Sequence, residues 1–186
     1  TEPIWREAKD RAGEALALLN LGYAYGDMSD LRRASEHYQR ALSLFDKIHD
    51  GRGRALAQTA NAGVLSILGE PQAALDLHQK ALEYFHQTGY KQGEAAALNG
   101  VAGAYEDLSE YQAAIDNYII ALRLFEEIGN QRYVALTKFA MGRAMYRQGD
   151  RDNAEKYCLE SLEQSRKARD PVVEAHTLQS LATISF

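Results

Sequence analysis

Alanine stands at Ala15, Ala55, Ala95, Ala135 and Ala175, and again at Ala34, Ala74, Ala114 and Ala154. Both ladders step by forty residues with no insertion or deletion. Self-similarity at one fixed period of this length means stacked copies of a single supersecondary unit, each touching only its neighbours in the row. Such a chain grows by repeats and not around one central core. It offers a long surface more readily than a single catalytic pocket.

Each block of forty carries two helical patterns. The first is Ala15-Leu18-Leu21-Gly22-Tyr25, which returns as Ala55-Ala62-Leu65, Ala95-Leu98-Val101-Ala102-Tyr105 and Ala135-Met141-Gly142-Met145. The second is Ala34-Tyr38-Ala41-Leu42-Phe45, then Ala74-His78-Ala81-Leu82-Phe85, Ala114-Tyr118-Ala121-Leu122-Phe125 and Ala154-Cys158-Leu162. Spacings of three, four and seven residues define the apolar stripe of an amphipathic helix. Small residues at fixed sites let two helix axes approach to about 8–10 Å, and the large residues between them fill the remaining space.

The punctuation agrees with paired helices. Within the blocks, turns fall at Ser29-Asp30, Gly69-Glu70-Pro71, Ser109-Glu110 and Gly149-Asp150. Asp30 and Asp150 are placed to cap the following helix, and Pro71 suits a first helical position. Between blocks, Gly89 and Gly129 read as left-handed C-terminal residues. Asp10, Asp50, Asn130 and Asp170 share one phase as N-caps of the next first helix. Turns this short join antiparallel neighbours.

Leu18, Leu21-Gly22, Tyr25, Ala34, Tyr38 and Ala41 resemble the signature of the tetratricopeptide repeat, and the third block nearly repeats it with Ala102 for the glycine. The forty-residue period is similar to the long-helix variety found in kinesin light chains, Leu-Gly-Asn repeat regulators and bacterial regulatory proteins. The resemblance covers nearly the whole chain. It implies an all-α, right-handed α-solenoid of stacked antiparallel helix pairs, a single solenoid over 1–186. The expected repeats are 11–48, 51–88, 91–128 and 131–168. Residues 1–9 would end a preceding helix or form an N-terminal cap, with Trp5 at the phase of Phe45. Residues 171–186 would be the first helix of a truncated fifth repeat, in a chain cut from a longer protein. Polar residues at core phases, Gln58 and Asn61 in the second block and Lys138, Gln148, Ser161, Gln164 and Ser165 in the fourth, predict helices that are shifted or exposed on one side.

In tetratricopeptide proteins the first helices line the concave face, where peptides lie. Carried over phase by phase, that groove comprises Asn20, Tyr23 and Asp27 in the first block and Asn99, Glu106 and Asp107 in the third. Phe139, Arg143, Tyr146 and Arg147 supply the fourth, and His176, Gln179 and Thr183 the fifth. Arg143 and Arg147 lie one helical turn apart, a spacing able to hold a carboxylate or phosphate bidentately. The competing expectation is that Arg147 pairs with Asp107, its equivalent one repeat earlier, and that the pair solvates the face.

Composition excludes several alternatives. A net charge of −5 over 186 residues lacks the concentrated basic surface that nucleic acid requires. Cys158 is the only cysteine, so no intramolecular disulfide or thiolate metal cluster forms. His37, His49, His78, His86 and His176 share no zinc spacing, and Gly51-Arg52-Gly53 lacks the rest of a phosphate loop. No apolar run approaches the ~20 residues of a membrane span. The expectation is a cytoplasmic, non-catalytic scaffold that binds protein or peptide, without cofactor or metal, without nucleic-acid or membrane partners, and possible as a monomer. The alternative is a sensory or regulatory module of a larger bacterial signalling protein whose output domain lies elsewhere. An enzyme in its own right ranks last.

Overall fold

The structure, a computed structural model, describes the backbone of residues 2–184 and the side chains of residues 11–184. The side chains of Trp5 and Phe186 lie outside the described residues. Two compact units divide the chain. The first, Thr1–Tyr90, holds α1 (Glu2–Asp27), α2 (Leu31–Lys47), α3 (Gly51–Ile67) and α4 (Pro71–Thr88). The second, Lys91–Phe186, holds α5 (Lys91–Asp107), α6 (Tyr111–Glu127), α7 (Gln131–Gln148), α8 (Arg151–Ala168) and α9 (Pro171–Ile184). Every described element is a helix, and within each unit successive helices pack antiparallel on one another. Each unit is a stack of helix pairs, the architecture of an α-solenoid.

One expected break is absent. Helix α1 runs from Glu2 through Asp10 to Asp27 without a turn, so Asp10 lies inside a helix and not at the start of one. The run Arg6-Glu7-Ala8-Lys9-Asp10-Arg11-Ala12 contains neither glycine nor proline, and most of it consists of strong helix formers. Pro3 sits in the first turn, where its missing N–H has no helical partner to lose, and Gly13 is carried inside the helix.

The turns follow a half-repeat period that the glycines alone did not reveal. A left-handed residue occurs at Ser29, His49, Gly69, Gly89, Ser109, Gly129, Gly149 and Arg169, one in every twenty positions. At each, the next N–H reaches back to close the helix: Asp30 N–H donates to Tyr25 O at 2.9 Å, and Asp50, Glu70, Tyr90, Glu110, Asn130, Asp150 and Asp170 repeat the bond. This is the Schellman closure, which satisfies carbonyls left open at a helix end. Four of the eight positions carry a side chain despite the cost of that conformation. On the far side of the turns, Asp30, Asp50, Asn130, Asp150 and Asp170 accept the first free N–H groups of the following helix.

Core packing follows the ladders. Ala15, Ala55, Ala95 and Ala135 are fully buried, as are Ala34, Ala74, Ala114 and Ala154. Ala175 and Leu178 are exposed at the corresponding phases, because no second helix covers α9 among the described residues. Where the helices of a pair come closest, a missing side chain admits a large one. A Cβ on Gly22 would stand 2.3 Å from the Tyr38 ring, and one on Gly142 would stand 2.6 Å from Cys158 Sγ and 3.0 Å from the Ala154 carbonyl. Phe45, Phe85 and Phe125 close the second helices from below, each fully enclosed.

Among the polar departures at core phases, Gln148 is exposed as expected and Gln164 is half-buried, but four others are enclosed. Gln58, Asn61, Ser161 and Ser165 are all buried. Ser161 donates to the Ala135 carbonyl at 2.8 Å and meets the Thr177 hydroxyl at 3.3 Å, while Ser165 donates to Leu162 O. Lys138 stretches to Glu160 at 2.8 Å and keeps its stem covered. Short hydroxyls thus satisfy themselves on neighbouring backbone without moving the helix. The Asn61 Oδ1 and His78 Nδ1 atoms have no hydrogen-bond partner among the described residues.

His78 occupies the repeat phase held by Tyr38 and Tyr118 in the preceding and following repeats of the sequence. Burial pushes its pKa down from 6.5 to about 4. The folded state therefore resists a proton that the unfolded chain accepts. Its contribution is intact above pH 6.5 and is lost as pH falls toward 4, by roughly 3 kcal/mol at most. His78→Tyr places the residue of the equivalent sites there. Urea denaturation at pH 7 and pH 4 should show the variant losing less stability than the parent over that interval. Parallel pH profiles would remove His78 from the account.

Candidate functional site

The first-helix face of the second unit is organised around a buried carboxylate. Glu106, in the last turn of α5, has a side chain with 0% exposure. From α7, Arg143 grips it bidentately: Nε donates to Oε1 at 2.7 Å and Nη2 donates to Oε2 at 2.9 Å. Arg147, one turn further, brings Nη1 to 3.2 Å from Oε1. The Tyr118 hydroxyl of α6 donates to Oε2 at 3.2 Å from beneath. A carboxylate taken out of water is tolerated only with such complete pairing.

The electrostatics run both ways. Burial works against the Arg143 charge, but the hydrogen bonds and negative charge of Glu106 outweigh it and raise the guanidinium above its ordinary pKa. Burial and the Glu106 charge together push the Tyr118 phenol well up. Tyr118 is therefore a fixed donor at any physiological pH.

One expectation changes here. Glu106 does not line an open face; it lies under the two arginines, because α7 and Tyr118 close over the last turn of α5. The carboxylate on which Arg143 and Arg147 converge is Glu106, whereas Asp107 is exposed and contributes a nearby negative charge to Arg143. The signal was present in the chain: Gly26 and Ser66 hold the phase of Glu106 in the first two blocks, so a charge there is a departure.

The arginines remain open on one side, with side-chain exposures of 42% for Arg143 and 46% for Arg147. They border a recess of about 220 Å³ between α7 and α9, completed by Tyr146, Ser180, Thr183 and Ile184. Two of those, Ser180 and Ile184, escaped the carry-over of groove phases, whereas Thr183 was among them. Tyr146 reaches the Thr183 carbonyl at 3.5 Å, and the Arg151 guanidinium lies 5.8 Å from the Tyr146 ring centre. On the other side of Arg143, Phe139 lies under the guanidinium at 5.7 Å and stacks on His176 at 6.2 Å. Gln179 is exposed on α9. Asn99 is half-buried and accepts from Thr137 at 3.1 Å, tying α5 to α7. Phe139, Arg143, Tyr146, Arg147 and His176 are thus brought into one region of the second unit.

In the first unit, Asn20, Tyr23 and Asp27 are exposed on α1. Tyr23 stands edge-on to the Tyr38 ring at 5.5 Å. Burial comes first in raising the Tyr38 pKa to about 12, with Tyr23 and Asp27 adding to it. Cys158 is fully buried, and burial lifts its thiol to about 11, which keeps it protonated and unreactive. Among the described residues, no group of three or more His, Cys, Asp or Glu is arranged to hold a metal. No described helix is long and apolar enough to cross a membrane.

Two family models described as tetratricopeptide repeat match the chain, one at residues 15–47 and the other at 53–127 and 93–167. Solved structures share the fold at low identity. RapI in its apo form aligns with a TM-score of 0.78 and 23% identity, covering 85% of this chain and 58% of its own. A Rap protein complexed with competence and sporulation factor aligns at 0.84 and 17%, covering 92% and 48%. Kinesin light chain TPR-like repeats from Podosopora anserina align at 0.75 and 15%, covering 93% and 86%. The chain spans about half the length of the Rap proteins. A search of curated protein sequences gave no match.

The Glu106 cluster makes a prediction about stability. Replacing both Arg143 and Arg147 with Gln strands an enclosed carboxylate and should cost about 3–5 kcal/mol. Adding Glu106→Gln to that pair removes the stranded charge, so the triple variant should recover part of the loss. Urea midpoints check the order. A triple variant less stable than the double would show that Glu106 is not the carboxylate these arginines compensate.

Proposed function

The chain belongs to the tetratricopeptide repeat family, and from that premise we propose that it is a non-catalytic protein- or peptide-binding module. It takes its partner on the face formed by the first helices of its pairs. One observation carries the reading: that face gathers Phe139, Arg143, Tyr146, Arg147 and His176 around a recess, on helices held rigid by a buried ion cluster. Aromatic and arginine side chains are the groups that dominate binding energy at protein interfaces. A face fixed before the partner arrives loses little ordering entropy on binding. The solved complex of a Rap protein with competence and sporulation factor is the comparison that favours a peptide.

The test begins with a random dodecapeptide display library selected on the immobilised protein. Selected peptides are labelled and titrated by fluorescence anisotropy against the protein and its variants. His176→Glu with Gln179→Glu, both on the exposed surface of α9, should weaken binding tenfold or more, about 1.4 kcal/mol. Glu126→Lys, exposed on the second helix α6, should leave affinity within about twofold. The reverse order would place the partner on the second-helix side and overturn the reading.

A further inference from the structure

Helix α9 turns an apolar stripe to open solvent. Val172, Ala175, Leu178 and Ala182 share the side opposite the buried Val173, Thr177 and Ile184. Val172 is 59% exposed and Leu178 45%. In the earlier pairs the same phases are enclosed by a second helix. Ala95 and Ala135 stand at the phase of Ala175, Leu18 and Leu98 at that of Leu178, and Ala62 and Ala102 at that of Ala182, and all six are buried. The stripe is therefore built like a packed helix face and left uncovered. It is also free of repelling charge: α9 carries no lysine or arginine, and its one carboxylate, Glu174, is held by Arg166 at 2.8 Å.

We propose that this stripe pairs with the same stripe of a second copy of the chain, the two α9 helices lying antiparallel about a two-fold axis at the level of residues 176 and 177. Size makes the face self-complementary. Large and small side chains alternate along it, and an antiparallel match about that centre sets Val172 of one copy against Ala182 of the other, and Ala175 against Leu178. Symmetry repeats both contacts, so each large side chain meets a small one. Gly22 under the Tyr38 ring obeys the same rule within a pair. A two-fold contact presents one surface to itself, so a charged stripe would meet its own sign, and this stripe has none. The helix has 14 residues and is about 21 Å long. A single crossing of that length buries less than the ~1,200–2,000 Å² of standard interfaces, so the dimer exchanges with a dissociation constant of about 10–100 µM. The inference does not rest on the binding-module reading, which concerns the side of α9 that carries His176.

Sedimentation equilibrium over about 5–500 µM protein should show the 20.7 kDa chain passing from monomer to dimer. Ala175→Glu and Leu178→Lys, both at exposed positions, should each weaken association at least tenfold while the helical circular dichroism stays unchanged. An equimolar mixture of the two variants should associate again, to within about threefold of the parent. In that heterodimer the introduced carboxylate meets the introduced ammonium on one side of the axis, and Leu178 meets Ala175 on the other.

A parent that stays monomeric at the top of the range overturns the proposal. So does a dimer that both substitutions leave intact, because its contact lies elsewhere, and so does a mixture that fails to associate, because the antiparallel match is then wrong. The remaining occupant is a separate helix. A labelled peptide with the sequence Tyr111–Glu127 of α6 tests it: binding to a monomeric parent, lost in Leu178→Lys, would assign the stripe to a second helix supplied from outside and overturn the self-pairing.

Discussion

In α1–α2 and α7–α8 the two helices of a pair lie as close as they do because one of them gives up its side chain where the other needs the space. Gly22 stands against the Tyr38 ring, and Gly142 stands against Cys158 and the α8 backbone, each with no room for a methyl group. Close approach brings the alanine ladders into contact and buries them completely. It also fixes the rotation of each helix about its axis, since a turn of one residue would drive a side chain into its neighbour. That rotation decides which residues face the core and which remain for a partner. The local closures at the helix ends repeat every twenty residues and hold the register between these contacts.

Within this frame the second unit tolerates an unusual amount of buried polarity. Ser161, Ser165, Thr137 and Thr177 are fully enclosed, yet each hydroxyl has a partner within hydrogen-bond distance. Glu106 is the extreme case, because its burial requires two arginines from the next first helix and a tyrosine from the intervening second helix. The same contacts tie α5, α6 and α7 into one body and hold the arginines at the edge of the α7–α9 recess. Structural support and the proposed recognition surface are therefore built from the same side chains.

The period, the small-residue ladders and the caps at Asp30, Asp50, Asn130, Asp150 and Asp170 were legible in the sequence because they follow from local chemistry and repetition. The polar core positions were not. Serine at 161 and 165 reads as exposure when only polarity is considered, whereas its hydroxyl is short enough to bond nearby backbone and stay inside. Glu106 was misplaced for a related reason. The phase of a helical residue gives its direction from the axis, but not whether a neighbouring helix closes over it. Arg143 and Arg147 come from one repeat later, and only their long side chains reveal the closure. The break expected at Asp10 failed because a shared phase with real caps does not stop a helix whose flanking residues favour continuing it.

The central claim is that absent side chains at the helix crossings hold the pairs together, and two glycine substitutions test it directly. Gly63 and Gly142 are both interior to first helices, but a Cβ at Gly63 meets nothing within 4 Å. On helix propensity alone, alanine at either site should stabilise by up to about 1 kcal/mol. Urea denaturation should show that gain for Gly63→Ala and a loss of roughly 1–3 kcal/mol for Gly142→Ala, where the overpacking cost prevails. Equal stabilisation of both variants would contradict the account.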